Sequence, residues 1–232
     1  MKIEIWSDIA CPWCYIGKRR FERALELLPE SPEIEVLWRS FELDPTAPTA
    51  VDQSLDEILS RKYGMSLSQA RQMQERITAV ATEEGLNFRF EAFKPGNTFT
   101  AHRLIHFAHT EGKQDAMKER LLLANFTEGA SMADQDALTR AAADVGLETE
   151  AVREVLSTDA FAREVRADEE RAREIGIHGV PFFLINEEYG ISGAQPAEVF
   201  TNLLARIQNQ SPDPRAKHGP GCDDQGCEIQ PS

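Results

Sequence analysis

Cysteine is scarce in this chain, with four among 232 residues, and positive charge is in deficit. Twenty-five Lys and Arg residues stand against 39 Asp and Glu, so the formal net charge is −14. Nucleic-acid binding relies on clusters of Lys and Arg, so this balance argues against a nucleic-acid partner. No apolar run approaches the roughly 20 residues of a membrane span, and Met1-Lys2 leads directly into a predicted strand without a signal peptide. These absences predict a cytoplasmic protein without a membrane partner.

Two of the cysteines form the motif Cys11-Pro12-Trp13-Cys14 between a predicted strand and a predicted helix. Residues 3–6 alternate between apolar and polar as a strand does, and apolar residues recur at helical spacing over 16–28. Proline is tolerated in the first turn of a helix. Cys11 would therefore face the positive end of the helix, where the pKa of a thiol is lowered, with Cys14 about one turn later. The pattern predicts thiol–disulfide chemistry.

Half of a structural zinc site is the alternative reading of the same two cysteines. Tetrahedral zinc needs four ligands, usually as a second pair of similar spacing. The other cysteines, Cys222 and Cys227, have four residues between them in a Pro- and Gly-rich tail. We therefore predict a redox pair and no metal. Cys222 and Cys227 are a candidate auxiliary redox pair that exchanges with the first pair from a tether, the alternative being an inert tail.

The rest of the chain predicts an α/β framework interrupted by helices. Residues 1–44 read as strand, helix and strand, and 176–208 as an apolar strand, a short strand and a helix. Helical patterns fill most of 45–175 between them. We predict one α/β domain from 1–44 and 176–208, a helical insertion domain over 45–175, and a flexible Cys-containing tail over 209–232. Pro181 cannot donate a ladder hydrogen bond, so it belongs at a strand's start or edge.

Two segments together resemble a known family. WSDIACPWCYIG at residues 6–17 and GIHGVP at 176–181, separated by the helical insertion, resemble the DsbA-like branch of the thioredoxin superfamily, specifically its FrnE-type cytosolic members. The resemblance implies a thioredoxin fold and a cis Val180–Pro181 bond beside the cysteines. It also implies catalysis by Cys11 and Cys14 and a substrate surface made by Pro12, Trp13, Val180 and Pro181. His178, just before the Gly-Val-Pro turn, is a further candidate for substrate contact, the alternative being a structural turn residue.

The same resemblance implies the partners. Substrates would be protein thiols and disulfides, including under oxidative stress, with glutathione or thioredoxin as electron donor and no metal or organic cofactor. Periplasmic members carry a histidine between the cysteines, which this chain lacks, so we expect Cys11 to be less acidic than theirs. The motif does not choose between oxidase, reductase and isomerase activity. A pair spaced like Cys222 and Cys227 also occurs in some FrnE-type proteins.

Two other functions remain open. The stretch 97–103 resembles 2-hydroxychromene-2-carboxylate isomerase and kappa-type glutathione transferases, which use glutathione and typically have serine where this chain has Cys11. The presence of both cysteines departs from that branch. A non-catalytic adaptor that binds a partner through the helical insertion is the second alternative. His102, His106 and His109 share a helix face, but they lack the HExxH arrangement of a zinc enzyme.

Overall fold

The computed structural model describes residues 1–28, 33–49 and 51–210. Its strands are β1 (Lys2–Ser7), β2 (Glu35–Ser40), β3 (Phe182–Ile185) and β4 (Tyr189–Ser192). Its helices are α1 (Pro12–Glu26), α2 (Leu55–Tyr63), α3 (Leu67–Glu83), α4 (Phe99–Thr110), α5 (Gln114–Phe126), α6 (Gln135–Asp144), α7 (Thr149–Ser157), α8 (Ala162–Glu174) and α9 (Ala197–Gln210). Cys222 and Cys227 lie outside the described residues.

The strands form one sheet in the order β2-β1-β3-β4. β1 runs parallel to β2, which requires the crossover that α1 supplies, and antiparallel to β3. Trp6, near the end of β1, lies opposite Phe182, the first residue of β3. This register brings the loop after β1, which carries the cysteine motif, next to the segment that enters β3.

Alternation along β1 gives the sheet two buried faces. Ile3 and Ile5 belong to the main hydrophobic core, whereas Trp6 points to a smaller cluster that contains Ala172 of α8. Edge-to-face contacts of Phe200 with Phe21 and Phe183, at ring-centroid distances of 5.8 and 4.7 Å, pack α9 against α1 and the sheet. Both faces are thus covered, which explains the continuous apolar run of β3.

The segment between β2 and β3 adds an aromatic cluster, centred on Phe126, to the main hydrophobic core. Phe126 is fully buried, and its ring centroid lies 4.8 Å from Phe88, 5.5 Å from Phe93 and 6.2 Å from Phe90. Gln114 at the start of α5 pairs with both the backbone N–H and the carbonyl of Trp38, each at 3.0 Å. The side-chain amide of Gln114 therefore pairs with the backbone of β2 as a neighbouring strand would, and this attaches α5 to the sheet.

The predicted α/β framework interrupted by helices is confirmed. The helical pattern of the sequence predicts a last insertion helix over 158–175, but this helix begins at Ala162, because Phe161 adopts a left-handed backbone with φ 62°. The predicted division into domains stays a prediction, because a domain boundary is a statement about which parts of the chain fold independently. The predicted units are 1–44 together with 176–208, then 45–175, and 209–232. No helix in the described ranges has the length and apolar character needed to cross a membrane.

Candidate active site

The cysteine motif lies where β1 gives way to α1. Cys11 is the N-cap residue with an extended backbone, and Pro12 is the first helical residue. The N–H of Cys14 donates to the Cys11 carbonyl at 3.0 Å, which is the first bond of the turn. Both thiols are free and buried, with 4% of Cys11 and 1% of Cys14 exposed. The turn thus holds two thiols on one side of the helix start, with Cys11 slightly nearer the surface.

The segment entering β3 closes over this turn. The Val180–Pro181 peptide bond is cis, as the resemblance implied, and the Cys11 Sγ lies 3.6 Å from the Val180 carbonyl oxygen. A Cβ on Gly17 would lie 2.9 Å from the Pro181 Cγ, so α1 and the proline ring approach each other closely only because residue 17 is glycine. The Pro181 carbonyl accepts from the N–H of Gly193 at 2.8 Å, which fixes the proline from behind.

The residues predicted to contact substrate differ in exposure. Trp13 is 39% exposed and His178 is also exposed, whereas Pro12 and Val180 are half-buried and Pro181 is buried. An aromatic ring at the surface thus stands next to two buried sulfurs. That these five residues contact substrate stays a prediction.

A buried carboxylate organises the loop just before the cysteines. Asp8 is 1% exposed and accepts from the Leu43 N–H at 2.7 Å, the Thr98 hydroxyl at 2.9 Å and the Ala10 N–H at 3.2 Å. The His102 Nε2 lies 3.3 Å from the same carboxylate. Burial opposes ionisation of Asp8, but the His102 and backbone donors outweigh it and lower the Asp8 pKa. Burial also lowers the pKa of His102, so a neutral imidazole donates to a charged carboxylate.

Helix α5 supplies two further donors to the same loop. The Asn125 Nδ2 donates to the Ile9 carbonyl at 3.0 Å, and the Lys118 Nζ donates to the Ser7 carbonyl at 3.2 Å. Lys118 is 1% exposed, and burial lowers its pKa to about 8. Together with Thr98 and His102 of the α4 region, these side chains anchor the active-site loop to the helical insertion.

The two thiols have opposite pKa shifts in the reduced protein. The pKa of Cys11 is raised well above its usual value because its S–H donates to Cys14 and because it is buried. Burial opposes ionisation of Cys14 as well, but the Cys11 donor, the Lys118 charge and the Ser7 hydroxyl lower the Cys14 pKa overall. The prediction of a lowered Cys11 pKa from its place at the helix start is therefore wrong for the reduced pair, because the hydrogen bond to Cys14 and burial both raise this pKa.

Sequence reasoning missed the buried polar residues beneath the motif. Asp8, Thr98, Lys118 and Asn125 come from distant parts of the chain, and only the fold brings them together. One signal was available: Lys118 and Asn125 lie on the same α5 face as the fully buried Leu121 and Leu122. A lysine and an asparagine on a helix's apolar face indicate buried polar partners.

The histidines of α4 pair with carboxylates. His102 contacts Asp8, and the His106 Nε2 lies 3.1 Å from both Asp168 and the Ser40 hydroxyl, whereas His109 is exposed. Across the described residues, no three His, Cys, Asp or Glu side chains come together as metal ligands.

Residues 2–205 match the DSBA-like thioredoxin domain family. The chain belongs to this family. The crystal structure of a probable DsbA oxidoreductase from Streptomyces coelicolor has a TM-score of 0.87 to this DSBA-like chain at 42% identity, with 100% of both chains covered.

Two more distant structures share the fold of this DSBA-like protein. A 2-hydroxychromene-2-carboxylate isomerase is 14% identical with a TM-score of 0.68, over 90% of this chain and 97% of that one. The cytosolic disulfide reductase DsbM from Pseudomonas aeruginosa, which has also been solved with GSH, is 15% identical with a TM-score of 0.63, over 90% of this chain and 100% of that one. At these identities the likeness concerns the fold alone. The family indicates thiol–disulfide oxidoreductase or related isomerase chemistry.

Proposed function

We propose that this protein is a thiol–disulfide oxidoreductase that acts on protein disulfides and dithiols through Cys11 and Cys14. The observation that carries the proposal is the pair of free thiols at the start of α1, with Cys11 in contact with the Val180 carbonyl. Membership of the DSBA-like family supports it. A helix start, two cysteines one turn apart and a neighbouring extended segment together provide a nucleophile, a resolving thiol and a backbone for an extended substrate.

In the reducing direction Cys11 is the attacking sulfur, because it is the more exposed of the two and lies against Val180. In the reduced pair Cys14 is the thiolate and Cys11 holds the proton. That proton passes to the Cys14 thiolate, and the Cys11 thiolate that results attacks one sulfur of the substrate disulfide. The other substrate sulfur leaves as a thiolate and takes up a proton. Cys14 then loses its proton and attacks the Cys11 sulfur, which releases the second substrate thiolate and forms the Cys11–Cys14 disulfide.

The two steps transfer two electrons from the cysteine pair to the substrate disulfide, and the same steps in reverse oxidise a substrate dithiol. A reduced Cys11 also permits disulfide isomerisation, since the mixed disulfide can be displaced by another substrate thiol. Trp13, Pro12, Val180, Pro181 and His178 form the surface on which we place the substrate. Glutathione or thioredoxin would return electrons to the pair, and we propose a cytoplasmic location.

A redox titration in glutathione buffers tests the proposal, with thiols alkylated and mapped by mass spectrometry. We expect Cys11 and Cys14 to interconvert at a poise between about −270 and −120 mV, the range from thioredoxin to DsbA. Cys14→Ser is expected to accumulate a mixed disulfide on Cys11 with a disulfide-bonded substrate protein, whereas Cys11→Ser forms none. The same map reports whether Cys222 and Cys227 change state with the pair.

The isomerase fold neighbour supports one rival, a glutathione-dependent isomerase or transferase. That rival predicts saturation by glutathione and full activity after Cys14→Ser. Thiols that stay reduced throughout the titration, or that form only a glutathione adduct, would rule out the exchange mechanism. A stoichiometric protein partner with inert thiols would point to the adaptor.

A further inference from the structure

Lys118 has an unusual place for a charged side chain. It extends from α5 towards the end of β1, is 1% exposed, and donates one hydrogen bond, to the Ser7 carbonyl at 3.2 Å. Its Nζ also lies 5.5 Å from the ring centroid of Trp38. Within the described residues, no carboxylate oxygen lies within 4.0 Å of this ammonium group. A buried ammonium with so few partners is costly unless another negative group compensates it.

The charged and titratable groups around Lys118 identify that negative group. Burial lowers its pKa to about 8, and the opposing influences are Cys14 first, then Asp8 and Cys11, whereas Lys18 of α1 acts in the same direction as burial. Asp8 already receives donors from two backbone N–H groups, from Thr98 and from His102. Cys14 depends chiefly on the Cys11 thiol as its donor, and that donor is lost once Cys11 is bonded to substrate.

We propose that Lys118 is a positioning residue that stabilises Cys14 as a thiolate and thereby promotes its attack on the mixed disulfide formed at Cys11. This inference rests on the proposed exchange function. In the reduced pair, Cys11 shares this task because its S–H donates to Cys14. Once Cys11 is joined to substrate it has no proton to donate, so Lys118 is the charged group left to stabilise the Cys14 thiolate.

The chemistry of the step is balanced without another reactant. Cys14 gives its proton to water or to the substrate thiolate that left first, and Lys118 stays protonated throughout. The Cys14 thiolate attacks the Cys11 sulfur, the bond between Cys11 and substrate breaks, and the electron pair leaves with the substrate sulfur. The resulting disulfide is neutral, so Lys118 then loses its anionic neighbour. Reduction of the disulfide restores that neighbour, so the electrostatic stabilisation of the charged Lys118 depends on the redox state of the pair.

The test separates the two sulfur–sulfur exchanges in the full-length chain, with Cys222→Ser and Cys227→Ser in every sample. One equivalent of 5,5′-dithiobis(2-nitrobenzoate) is mixed with the reduced protein, and release of the coloured thiolate is followed by stopped flow. The first phase is attack by Cys11 and depends on reagent concentration. The second phase is attack by Cys14 within the mixed disulfide and does not.

Two substitutions remove the charge in different ways. Lys118→Gln keeps an N–H donor for the Ser7 carbonyl, and Lys118→Met removes the donor as well. Loss of a neighbouring cation raises a thiol pKa by about 1 to 3 units. Because nucleophilicity partly offsets the smaller thiolate fraction, the rate of attack falls by about threefold per unit. We therefore expect both variants to lower the ratio of second-phase to first-phase rates by about 3- to 30-fold and to shift the pH profile of the second phase upwards.

Lys113→Met is the matched control, since Lys113 caps the same helix and its Nζ donates to the Gly146 carbonyl away from the thiols. It removes the same charge, and we expect an unchanged ratio. An unchanged ratio and pH profile in folded Lys118→Gln would overturn the inference, as would an equal fall in both phases, which indicates a structural role. Absence of a second phase in the parent chain would instead reject the exchange function itself.

Discussion

Gly17→Ala tests whether the contact between α1 and Pro181 is as close as the structure places it. Alanine in a helix interior normally stabilises by about 1 kcal/mol relative to glycine. Here the added Cβ would lie 2.9 Å from the Pro181 Cγ and 3.4 Å from the Ala194 Cβ. Neither neighbour can rotate aside, since one belongs to a rigid ring and the other is a methyl group. Overpacking of this kind costs about 1–3 kcal/mol, so we expect a net loss of about 1 kcal/mol.

Urea denaturation measures the free energy of unfolding, and Gly179→Ala is the matched control. A Cβ at Gly179 meets nothing within 4 Å, although the residue lies in the same site. Its backbone is not in the left-handed region, so the substitution should stabilise by about 0.4–1 kcal/mol through the unfolded chain. The two variants should therefore differ in sign. Because relief of the overlap in Gly17→Ala moves Pro181 relative to Cys11, the first phase of thiol exchange should also slow.

A stability gain in Gly17→Ala, like that of an ordinary helix glycine, would refute this reasoning. A lower free energy of unfolding in Gly179→Ala, with an unchanged m-value, would also refute it. The added methyl group would then be in contact with atoms that the structure does not place there.

The remaining predictions concern the loop before the cysteines and the aromatic cluster centred on Phe126. Asp8→Asn places an amide among hydrogen-bond donors, so we expect a loss of about 3 kcal/mol at pH 7, measured by urea denaturation. Since the pKa of Asp8 is lowered by folding, this stabilisation is present above the unfolded value near pH 3.9 and disappears as the pH falls through the lower folded value. A difference between wild type and Asp8→Asn that does not shrink as the pH falls below the unfolded value would contradict this. Phe126→Ala leaves a cavity among Phe88, Phe90 and Phe93 and should cost about 3–5 kcal/mol, whereas a loss below about 1 kcal/mol would mean that the three rings collapse into the space.

The fold was largely predictable because its elements have strong local signals. α2 and α3 begin after Ser54 and Ser66, each of which forms a capping box. Gly64 ends α2 in the left-handed conformation. These signals act within a few residues, so they can be read without the tertiary structure.

The chemistry of the site was only partly predictable. The cysteine motif is local, and the adjacency of Pro181 entered through a family resemblance, but the pKa order of the two thiols depends on contacts across the fold. Cys11 is affected by Cys14 and Asp8, and Cys14 by Lys118, which is more than a hundred residues away in sequence. A one-dimensional pattern has no measure of such distances, so the position at the helix start alone predicts the wrong direction for the Cys11 pKa.

The attachment of the active-site loop to α4 and α5 has a consequence for protein engineering. Three side chains of the insertion hold this loop. Lys118 bonds the Ser7 carbonyl, His102 contacts the Asp8 carboxylate, and Asn125 bonds the Ile9 carbonyl. A minimal protein made by deleting 45–175 would lose all three of these contacts and, of the described donors to the Asp8 carboxylate, would keep only the Leu43 and Ala10 N–H groups. Chimaeras that exchange insertions between relatives would have to transplant these helices and the loop as one unit.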